Sequence, residues 1–480
     1  MAARSLKEAF EVDGDWWLPE MPQQSVAGRI RYSPEKAELF LREPLTPWLQ
    51  CAGGPLRFDD FRKDYSTVHG LTDHGHAVTV LKALRMGIRT NVGPHGSSQS
   101  ERLLSSWVLV GYHGTAQDTY KKARFRIPGL HLWLGVPLIH QRFEDVEGAG
   151  SVPTFRVLSP ALPHAAIGSI GATVTWEVCH TRTADNYGLE VEAAAWLGIA
   201  ADQPKLLEWF LEQQAALTAL LAILADAPMA PDAIEVFRPD EKDAIDLLLV
   251  MREPTCCPYQ SDFEFAMLRA GLEADLTVVL ERWFNLYPKV KMPSQLALSI
   301  IGSKALWPHI EFLSLMQALE GLHRGVREGT YMPDKEYAAV KEVLGRAIPA
   351  GLSDSHKAAL KSKIRYGNQI SLRKRLGELL DDLGEELRAT LLGSAGSVPQ
   401  SWVDTRNYFT HWDETLTLNT LDGERMHRAC VRMRQLLRVL YMKLVGVPER
   451  ALILSLRNPS ESSQYLMQLN AREQTSQGAL

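Results

Sequence analysis

Hydrophobic and polar residues alternate with a period of two along much of the first 200 residues. Val174, Trp176 and Val178, for example, fall on one face, and polar residues separate them. The stretches 28–32 and 76–81 alternate in the same way, and Gly and Pro residues interrupt the runs. A period of two is typical of a half-buried β-strand. The pattern therefore predicts a β-rich N-terminal domain, either a twisted antiparallel sheet or a sandwich.

The period changes near residue 204, where apolar residues begin to recur every three to four positions. The stripe consists of Leu206, Phe210, Leu217, Leu221 and Leu224, and it predicts an amphipathic helix. Two short apolar runs, IEVF and AIDLLLV, follow as possible strands. From residue 261 onward the pattern predicts helices over 262–283, 308–328, 334–347, 355–364, 369–391, 403–412 and 424–445.

These patterns predict an α+β protein of several domains. We expect a β-rich, sandwich-like domain over 1–245, a helical connector over 246–305, an all-α bundle over 306–456 and a polar, frayed tail over 457–480. A chain of 480 residues is long enough for two to four domains, at roughly 100–200 residues per domain.

Composition indicates the cellular setting. Hydrophobic residues make up 45% and charged residues 23% of the chain, which are ordinary values for a soluble globular protein. The five cysteines are scattered and contain no CxxC pair, which argues against a disulfide framework and a structural zinc site. Neither a signal-peptide core nor a run of about 18 apolar residues is visible. We therefore expect a cytoplasmic protein that does not enter a membrane.

Charge is distributed unevenly along the chain. From residue 306 onward there are 23 Lys and Arg residues against 20 Asp and Glu, whereas the preceding part carries 29 against 37. The C-terminal part is thus mildly basic and the N-terminal part acidic. This balance permits a polyanionic partner for the C-terminal part without requiring one.

Three short motifs outside the helical half contain residue types that bind metal ions or react. His74 and His76 share a strand face and are able to bind a metal ion, but a polar turn before the strand explains them equally well. The run RPDEK at 238–242 resembles a fragment of a metal-dependent nuclease site, although a charged loop also accounts for it. Cys256 and Cys257 have no partner histidine and are expected to pack as small residues. We expect no metal or other cofactor.

Near the C-terminus, the stretch RNYFTHW places Arg406 five positions before His411, with Asn407 between them. Arg126 and His131 have the same spacing, so spacing alone does not define a site. The contexts differ, because a Pro-Gly turn separates the earlier pair whereas the later pair lies in a predicted helix. In such a helix Asn407 and His411 share a face, and Arg406 lies about 140° away, within reach of its long side chain.

An arginine, an amide and a histidine at one place are the groups needed to cleave RNA without a metal ion. Histidine accepts the proton of a ribose 2′-hydroxyl, which then attacks the adjacent phosphorus. Arginine holds the phosphate oxygens while negative charge develops on them. DNA lacks the 2′-hydroxyl, so a site of this kind selects RNA.

The motif and its surroundings resemble the ApeA-like branch of the HEPN domains. The stretch RNYFTHW matches the R-x4–6-H motif of these domains. The upstream stretches FLSLMQALEGLHRG and IRYGNQISLRKRLGELLDDL are similar to the first helices of that branch. The N-terminal half resembles the ApeA N-terminal domain in GDWWLP, GRIRYSP, GLTDHGHAVTVLKA and LHLWLG. The resemblance therefore covers most of the chain, in the same order.

The resemblance implies a bacterial antiphage protein that acts by abortive infection. Its HEPN half would be a dimeric ribonuclease that cleaves RNA, commonly tRNA, and leaves 2′,3′-cyclic phosphate and 5′-hydroxyl ends. Arg406 and His411 would be catalytic, Asn407 would support them, and the family's upstream acidic position maps to Glu320. His323 and Arg324 beside it are equally well explained as a solvated helix face.

Basic residues of the C-terminal half form the predicted RNA-docking surface, which a solvated face explains as well. They are Lys361, Lys363, Arg365, Arg373, Lys374 and Arg375, together with a row of Arg425, Arg428 and Arg432 along the helix 424–445. Two alternatives stay open. In the first, the helical half is a non-catalytic module that binds RNA or a nucleotide. In the second, the β-rich half binds a carbohydrate or a peptide, whereas the leading interpretation has it sense a phage-derived trigger.

Overall fold

The structure is a computed structural model that describes residues 3–46, 64–93, 96–136, 139–146, 148, 150–158, 162–184, 189–250, 264–303, 306–393, 396–458 and 460–477. Contacts within the chain divide it into two compact units. A β-rich unit comprises Met1–Leu221, Pro228–Asp262 and Leu268–Ala270, and a helical unit comprises Ala222–Ala227, Phe263–Met267 and Gly271–Leu480.

Antiparallel strands make up most of the β-rich unit. They are β1 Phe10–Trp17, β2 Val26–Ser33, β3 Lys36–Leu41, β4 Asp64–Thr72, β5 Ala77–Gly93, β6 Gly96–Ser105, β7 Trp107–Val110, β8 Thr119–Arg126, β9 Ile139–Val146, β10 Gly150–Val157, β11 His164–Ile167, β12 Ala172–Ala184, β13 Leu189–Leu206, β14 Ala233–Phe237 and β15 Ile245–Leu249. Two helices accompany them, the short α1 Leu130–Leu134 and α2 Leu207–Ala225.

Six strands close into a barrel in the order β5-β4-β1-β2-β3-β6, with β6 pairing back onto β5. The long strand β5 makes this closure possible. Its first part pairs with β7 from Val78↔Val110 to Leu81↔Trp107, and its later part pairs with β6 from Leu84↔Leu104 onward. A register shift between Arg85 and Gly87 falls in this later part, where a bulge bends the strand.

From β7 the sheet continues as an open layer in the order β7-β15-β14-β8-β13-β12-β11. The hairpin of β9 and β10 forms a separate two-stranded sheet. The prediction of a β-rich N-terminal half followed by helices is confirmed. The arrangement is a barrel joined to an open sheet rather than a sandwich, because pairing partners depend on where a strand bends, and alternation does not encode that.

Ten further helices belong to the described part of the helical unit. They are α3 Leu276–Ile301, α4 Pro308–Val326, α5 Asp334–Arg346, α6 Asp354–Tyr366, α7 Leu372–Leu380, α8 Glu385–Leu392, α9 Gln400–His411, α10 Gly423–Leu444, α11 Glu449–Arg457 and α12 Glu461–Gln477. Helix α10 supplies much of the core through Met433, Leu437 and Tyr441, which are 2% exposed or less. It packs on α3, α4, α8, α11 and α12.

Two of the predicted helices differ from the structure. The helix expected over 262–283 begins at Leu276, where the Asp275 side chain accepts the Thr277 N–H at 2.7 Å, and it ends at Ile301. The helix expected over 369–391 is two helices, α7 and α8. Its break falls at 381–384, where Gly384 takes the extended backbone of an N-cap.

The C-terminal stretch also differs from the prediction. Residues 457–480 were expected to be a frayed polar tail, yet 461–477 form α12. Leu466 and Leu469 of this helix are 0% and 3% exposed. These two leucines dock the helix on the rest of the bundle, and packing of this kind stabilises a helix that is otherwise largely polar. The strand β15, which extends to Leu249, likewise lies inside the range expected to be a helical connector.

Helix α2 is the one described helix that is long and apolar enough to cross a membrane by composition alone. It has 19 residues, and an 18-residue window within it has a mean hydropathy of 1.2 and is 56% buried inside the protein. A buried apolar helix of this length is equally typical of the core of a folded domain. The composition of α2 therefore does not identify a membrane protein.

Candidate functional site

The motif stretch forms the end of α9. Trp402, Val403 and Thr405 are the buried residues of this helix, and Thr405 Oγ1 accepts the N–H of Leu421 at 2.9 Å. The helix stops because Trp412 adopts a left-handed backbone with φ 52° and ψ 40°, and its N–H bonds to the Tyr408 carbonyl at 2.7 Å. The stop leaves the preceding residue, the histidine of the motif, at the free end of the helix.

Arg406 is tied to α4 through a carboxylate. Its Nη2 donates to Glu320 Oε2 at 3.3 Å, and its Nη1 donates to Asn407 Oδ1 at 3.2 Å. The other oxygen of the carboxylate, Glu320 Oε1, accepts from Arg324 at 2.9 Å. The fold thus brings together three of the residues predicted for the site, and it adds Arg324.

The sequence does not predict Arg324 as a site residue, because a solvated helix face explains it equally well. It lies one helical turn after Glu320, and its side chain is 48% exposed whereas that of Glu320 is 19% exposed. One carboxylate between two guanidinium groups leaves an excess of positive charge beside the motif. The i,i+4 spacing of Glu320 and Arg324 was the available signal.

His411 is exposed at the end of α9. Within the part of the chain that the structure describes, no protein group hydrogen-bonds its imidazole, and the Arg406 side chain bonds to Glu320 and Asn407 instead. Asp413 lies two residues further on and accepts the hydroxyl and the N–H of Thr415. These two hydrogen bonds, followed by a smaller effect of the His411 charge, lower the pKa of Asp413. An ionised carboxylate therefore lies near the imidazole.

Aromatic and aliphatic side chains lie around the motif, some exposed and some half-buried, and we call them the motif surface. Phe409 stacks on His309 with ring centroids 5.9 Å apart, and Trp412 contacts Phe409 edge-on at 6.5 Å. The motif surface consists of Trp307, His309, Ile310, Phe409, Trp412 and Leu418, of which Trp307, Trp412 and Leu418 are 76%, 71% and 96% exposed. Contiguous exposed apolar groups of this kind mark interaction sites.

His323 is a core residue and does not belong to a solvated face. It is 0% exposed, its Nε2 lies 2.8 Å from Glu378 Oε2, and its Nδ1 lies 3.2 Å from Arg375 Nη1. Because arginine only donates, Nδ1 is the acceptor and Nε2 carries the proton. Burial is the main cause that lowers the pKa of His323. The imidazole is therefore a neutral bridge between Arg375 and Glu378.

Two arginines assigned to RNA docking are buried, so that assignment is wrong for them. Arg375 is 2% exposed and bonds to His323 and to the Gly329 carbonyl. Arg432 is 5% exposed and donates to the Leu391 carbonyl at 2.8 Å and to Asn470 and Glu473 at 2.9 Å each. Arg375, Leu376, Leu379 and Leu380 form the buried stripe of α7, and their spacing is the sequence signal that places Arg375 in the core.

The other basic residues of the prediction are exposed. Arg425 and Arg428 pair with Asp422 and Glu424 of their own first turn. Helices α5 and α6 bury none of their residues, so α6 presents its lysines to solvent. Arg373 bonds to Gln400 at the start of α9, and Lys374 lies 4.7 Å from the Tyr331 ring centroid. The exposed basic surface consists of Lys361, Lys363, Arg365, Arg373 and Lys374.

The remaining sequence motifs do not join this site. Among the described residues no group of three side chains suited to a metal ion comes together, at His74 and His76 or elsewhere. In RPDEK, Arg238 pairs with Glu241 across a turn in which Asp240 has φ 61°. Arg126 bonds to Asp232 at 2.6 Å rather than to His131. Cys256 and Cys257 lie outside the described residues.

Comparison with protein families accounts for both units. Residues 313–451 match the Apea-like HEPN family model, and residues 11–261 match the model of ApeA N-terminal domain 1. No curated protein and no solved structure gave a significant match. The fold and the site thus define a protein in which a β-rich domain precedes a helical HEPN domain.

The chain belongs to the ApeA-like HEPN family, which confirms the resemblance seen in the sequence. Membership supports an antiphage HEPN nuclease. HEPN domains are generally ribonucleases, and they typically form dimers and act on RNA.

Proposed function

We propose that the protein is a metal-independent endoribonuclease of antiphage defence, with Arg406 and His411 as its catalytic residues. The observation that carries the proposal is the arrangement on α9. Arg406 is fixed by Glu320 and Asn407, whereas His411 stands free and exposed at the helix end. A free imidazole is available for proton transfer, and a fixed guanidinium is preorganised for a phosphate.

In the proposed reaction His411 accepts the proton of a ribose 2′-hydroxyl as that oxygen attacks the neighbouring phosphorus. The bond from phosphorus to the 5′-oxygen breaks, and the leaving oxygen takes a proton from water. The products are a 2′,3′-cyclic phosphate and a 5′-hydroxyl. Arg406 stabilises the negative charge that develops on the phosphoryl oxygens, while Glu320 and Asn407 position its guanidinium.

We place the active site at the interface of two copies of the chain. Among the described residues the Arg406 side chain bonds to Glu320 and Asn407 and not to His411, and the motif surface carries the exposed apolar side chains of Trp307, Trp412 and Leu418. A second copy packed on this surface would bury the tryptophans and bring a second motif alongside the first. A symmetric contact of this kind is self-complementary by its geometry.

The proposed substrate is structured RNA, with tRNA as the first candidate. The exposed basic surface on α6 and α7 supports a phosphate-rich ligand, and Arg373 links this surface to the start of α9. Lysine and arginine contacts to phosphates supply affinity that does not depend on sequence. The β-rich unit is proposed to receive the phage-derived trigger.

The alternative is an RNA-binding module without catalytic activity. The observation that favours it is that Arg406 is already paired with Glu320 in the single chain. Such a protein would bind RNA through the same basic surface and leave it intact.

The experiment that separates the two is a cleavage assay in EDTA with total RNA and tRNA, with the product ends mapped. The wild type is compared with Arg406→Ala, His411→Ala and His164→Ala, where His164 is an exposed histidine of β11. Discrete fragments with cyclic-phosphate ends should come from the wild type and His164→Ala only. Binding without fragments, in buffer and after addition of lysate from infected cells, would establish the binding module instead.

A further inference from the structure

A pocket of about 170 Å³ opens on the β-rich unit beside the turn between β4 and β5. Val12, Val78 and Val110 line it with apolar surface, while Arg4, His74 and His76 contribute nitrogen-bearing side chains. The two histidines are those singled out in the sequence, and the proposed nuclease does not use them. Pockets of mixed apolar and convergent polar lining are the usual form of a small-ligand site.

The β4–β5 turn is built in a way that holds the histidines at the pocket. Gly75 has φ 76°, a left-handed conformation that glycine adopts without strain, and its N–H bonds to the Thr72 carbonyl at 2.8 Å. The Thr72 N–H bonds to the His76 carbonyl, and the His76 N–H bonds to Thr72 Oγ1, both at 3.0 Å. The turn is thus fixed by backbone contacts, which leaves both imidazoles without a structural role in it.

Arg4 supplies the cation of the pocket. The guanidinium of Arg4 lies 5.3 Å from the Phe10 ring centroid, and no carboxylate among the described residues forms an ion pair with it. Glu11 also lines the pocket, but its oxygens accept from Arg29 and Arg31 at 2.7 Å each. The acid of the lining is therefore already paired. The carboxylate of Asp246 accepts the Arg4 backbone N–H at 3.4 Å, and burial raises its pKa, so the Arg4 side chain keeps its hydrogen-bond donors for a ligand.

We infer that this pocket binds a carboxylate carried on a small apolar group, with Arg4 as its anchor. The planar guanidinium matches the two oxygens of a carboxylate. His74 and His76 donate further hydrogen bonds, and the three valines cover the apolar body. Such a ligand is either a free organic acid or the C-terminal carboxylate of a peptide. The site is independent of RNA cleavage and requires no metal.

The test is saturation-transfer NMR on the full chain with benzoate and its uncharged counterpart benzamide. N-acetyl-leucine and N-acetyl-leucinamide form the second pair and represent a peptide C-terminus. The wild type is compared with Arg4→Ala, Arg4→Lys and Arg142→Ala, where Arg142 is an exposed arginine of β9. Thermal unfolding of each variant verifies that the β-rich unit is intact.

Benzoate should bind the wild type and Arg142→Ala equally, and about tenfold more weakly to Arg4→Ala, with Arg4→Lys between them. Benzamide should bind at least tenfold more weakly than benzoate. Binding of N-acetyl-leucine but not its amide would assign a peptide C-terminus, and binding of benzoate alone would assign a free acid. Equal binding of acid and amide, unchanged binding to Arg4→Ala, or no binding of either acid would overturn the inference.

Discussion

Nη2 of Arg406 on α9 lies 3.3 Å from Oε2 of Glu320 on α4, although 86 positions separate the two residues in the chain. Helix packing, not the local motif, therefore determines where the arginine of the motif points. Since the other oxygen of Glu320 holds Arg324, a change at this carboxylate affects both cations of the site.

Glu320→Gln should slow RNA cleavage by about tenfold to a hundredfold, because a charge-assisted hydrogen bond that fixes Arg406 contributes roughly 1.5–3 kcal/mol. The matched control is Glu342→Gln, whose carboxylate pairs with Arg346 on the exposed helix α5. Single-turnover cleavage rates and thermal unfolding are measured together. Full activity of Glu320→Gln would show that Arg406 needs no positioning by this carboxylate.

Trp412→Glu should convert the proposed dimer into a monomer and abolish cleavage. The side chain is 71% exposed in one chain, and a charge there opposes burial of the motif surface. Val343→Glu, at a residue 66% exposed on α5, is the control and should leave the protein a dimer. Sedimentation equilibrium measures the molecular mass in solution and so distinguishes dimer from monomer. A dimer that persists in Trp412→Glu would place the interface elsewhere.

Arg432→Ala should destabilise the helical unit by roughly 3 kcal/mol, because it removes a buried cation and leaves its acceptors unpaired. Arg428→Ala, one turn earlier on α10, should change the free energy of unfolding by less than about 0.5 kcal/mol, since the Arg428 pair with Glu424 is solvent-exposed. Urea unfolding gives both values. Equal effects at the two positions would contradict the buried role of Arg432.

The buried His323 should make the protein less stable in mild acid. Its folded-state pKa is lowered, chiefly by burial, so the unfolded chain binds the proton more tightly. The contribution is present above the ordinary histidine pKa of about 6.5 and is lost as the pH falls below it. The loss of melting temperature between pH 7.5 and 5.5 should therefore be smaller in His323→Gln. If His323→Gln loses as much melting temperature as the wild type over this pH range, another group causes the loss of stability in acid.

The exposed basic surface should govern the salt dependence of RNA binding. With the non-cleaving His411→Ala background, Lys361→Ala and Lys363→Ala should each reduce the slope of log K against log salt by about one. Arg346→Ala, on α5 and paired with Glu342, should leave the slope unchanged. Fluorescence anisotropy of labelled tRNA over a salt series measures it. An identical slope in all variants would exclude α6 from the RNA contact.

Local sequence signals predict part of the fold. Amphipathic spacing located α4, α5, α6, α9 and α10 to within a few residues, because each of these helices has its own start and stop residues. Arg375 was wrongly predicted to be exposed. Its charge favours a position in solvent, whereas its place in the buried stripe of α7 indicates the core. The contact of Glu320 with Arg406 and the closure of the barrel depend on tertiary packing, which no local pattern encodes.

Strand β5 has a consequence for how the β-rich unit unfolds. Its residues pair with β4 and β6 in the barrel and with β7 in the open sheet. If either part unfolds, the backbone groups of β5 that paired with it are therefore left without partners in the other part. The two parts should therefore melt in a single cooperative transition. A fragment cut after the barrel would present an unpaired stretch of β5 to solvent, and it should self-associate through that edge.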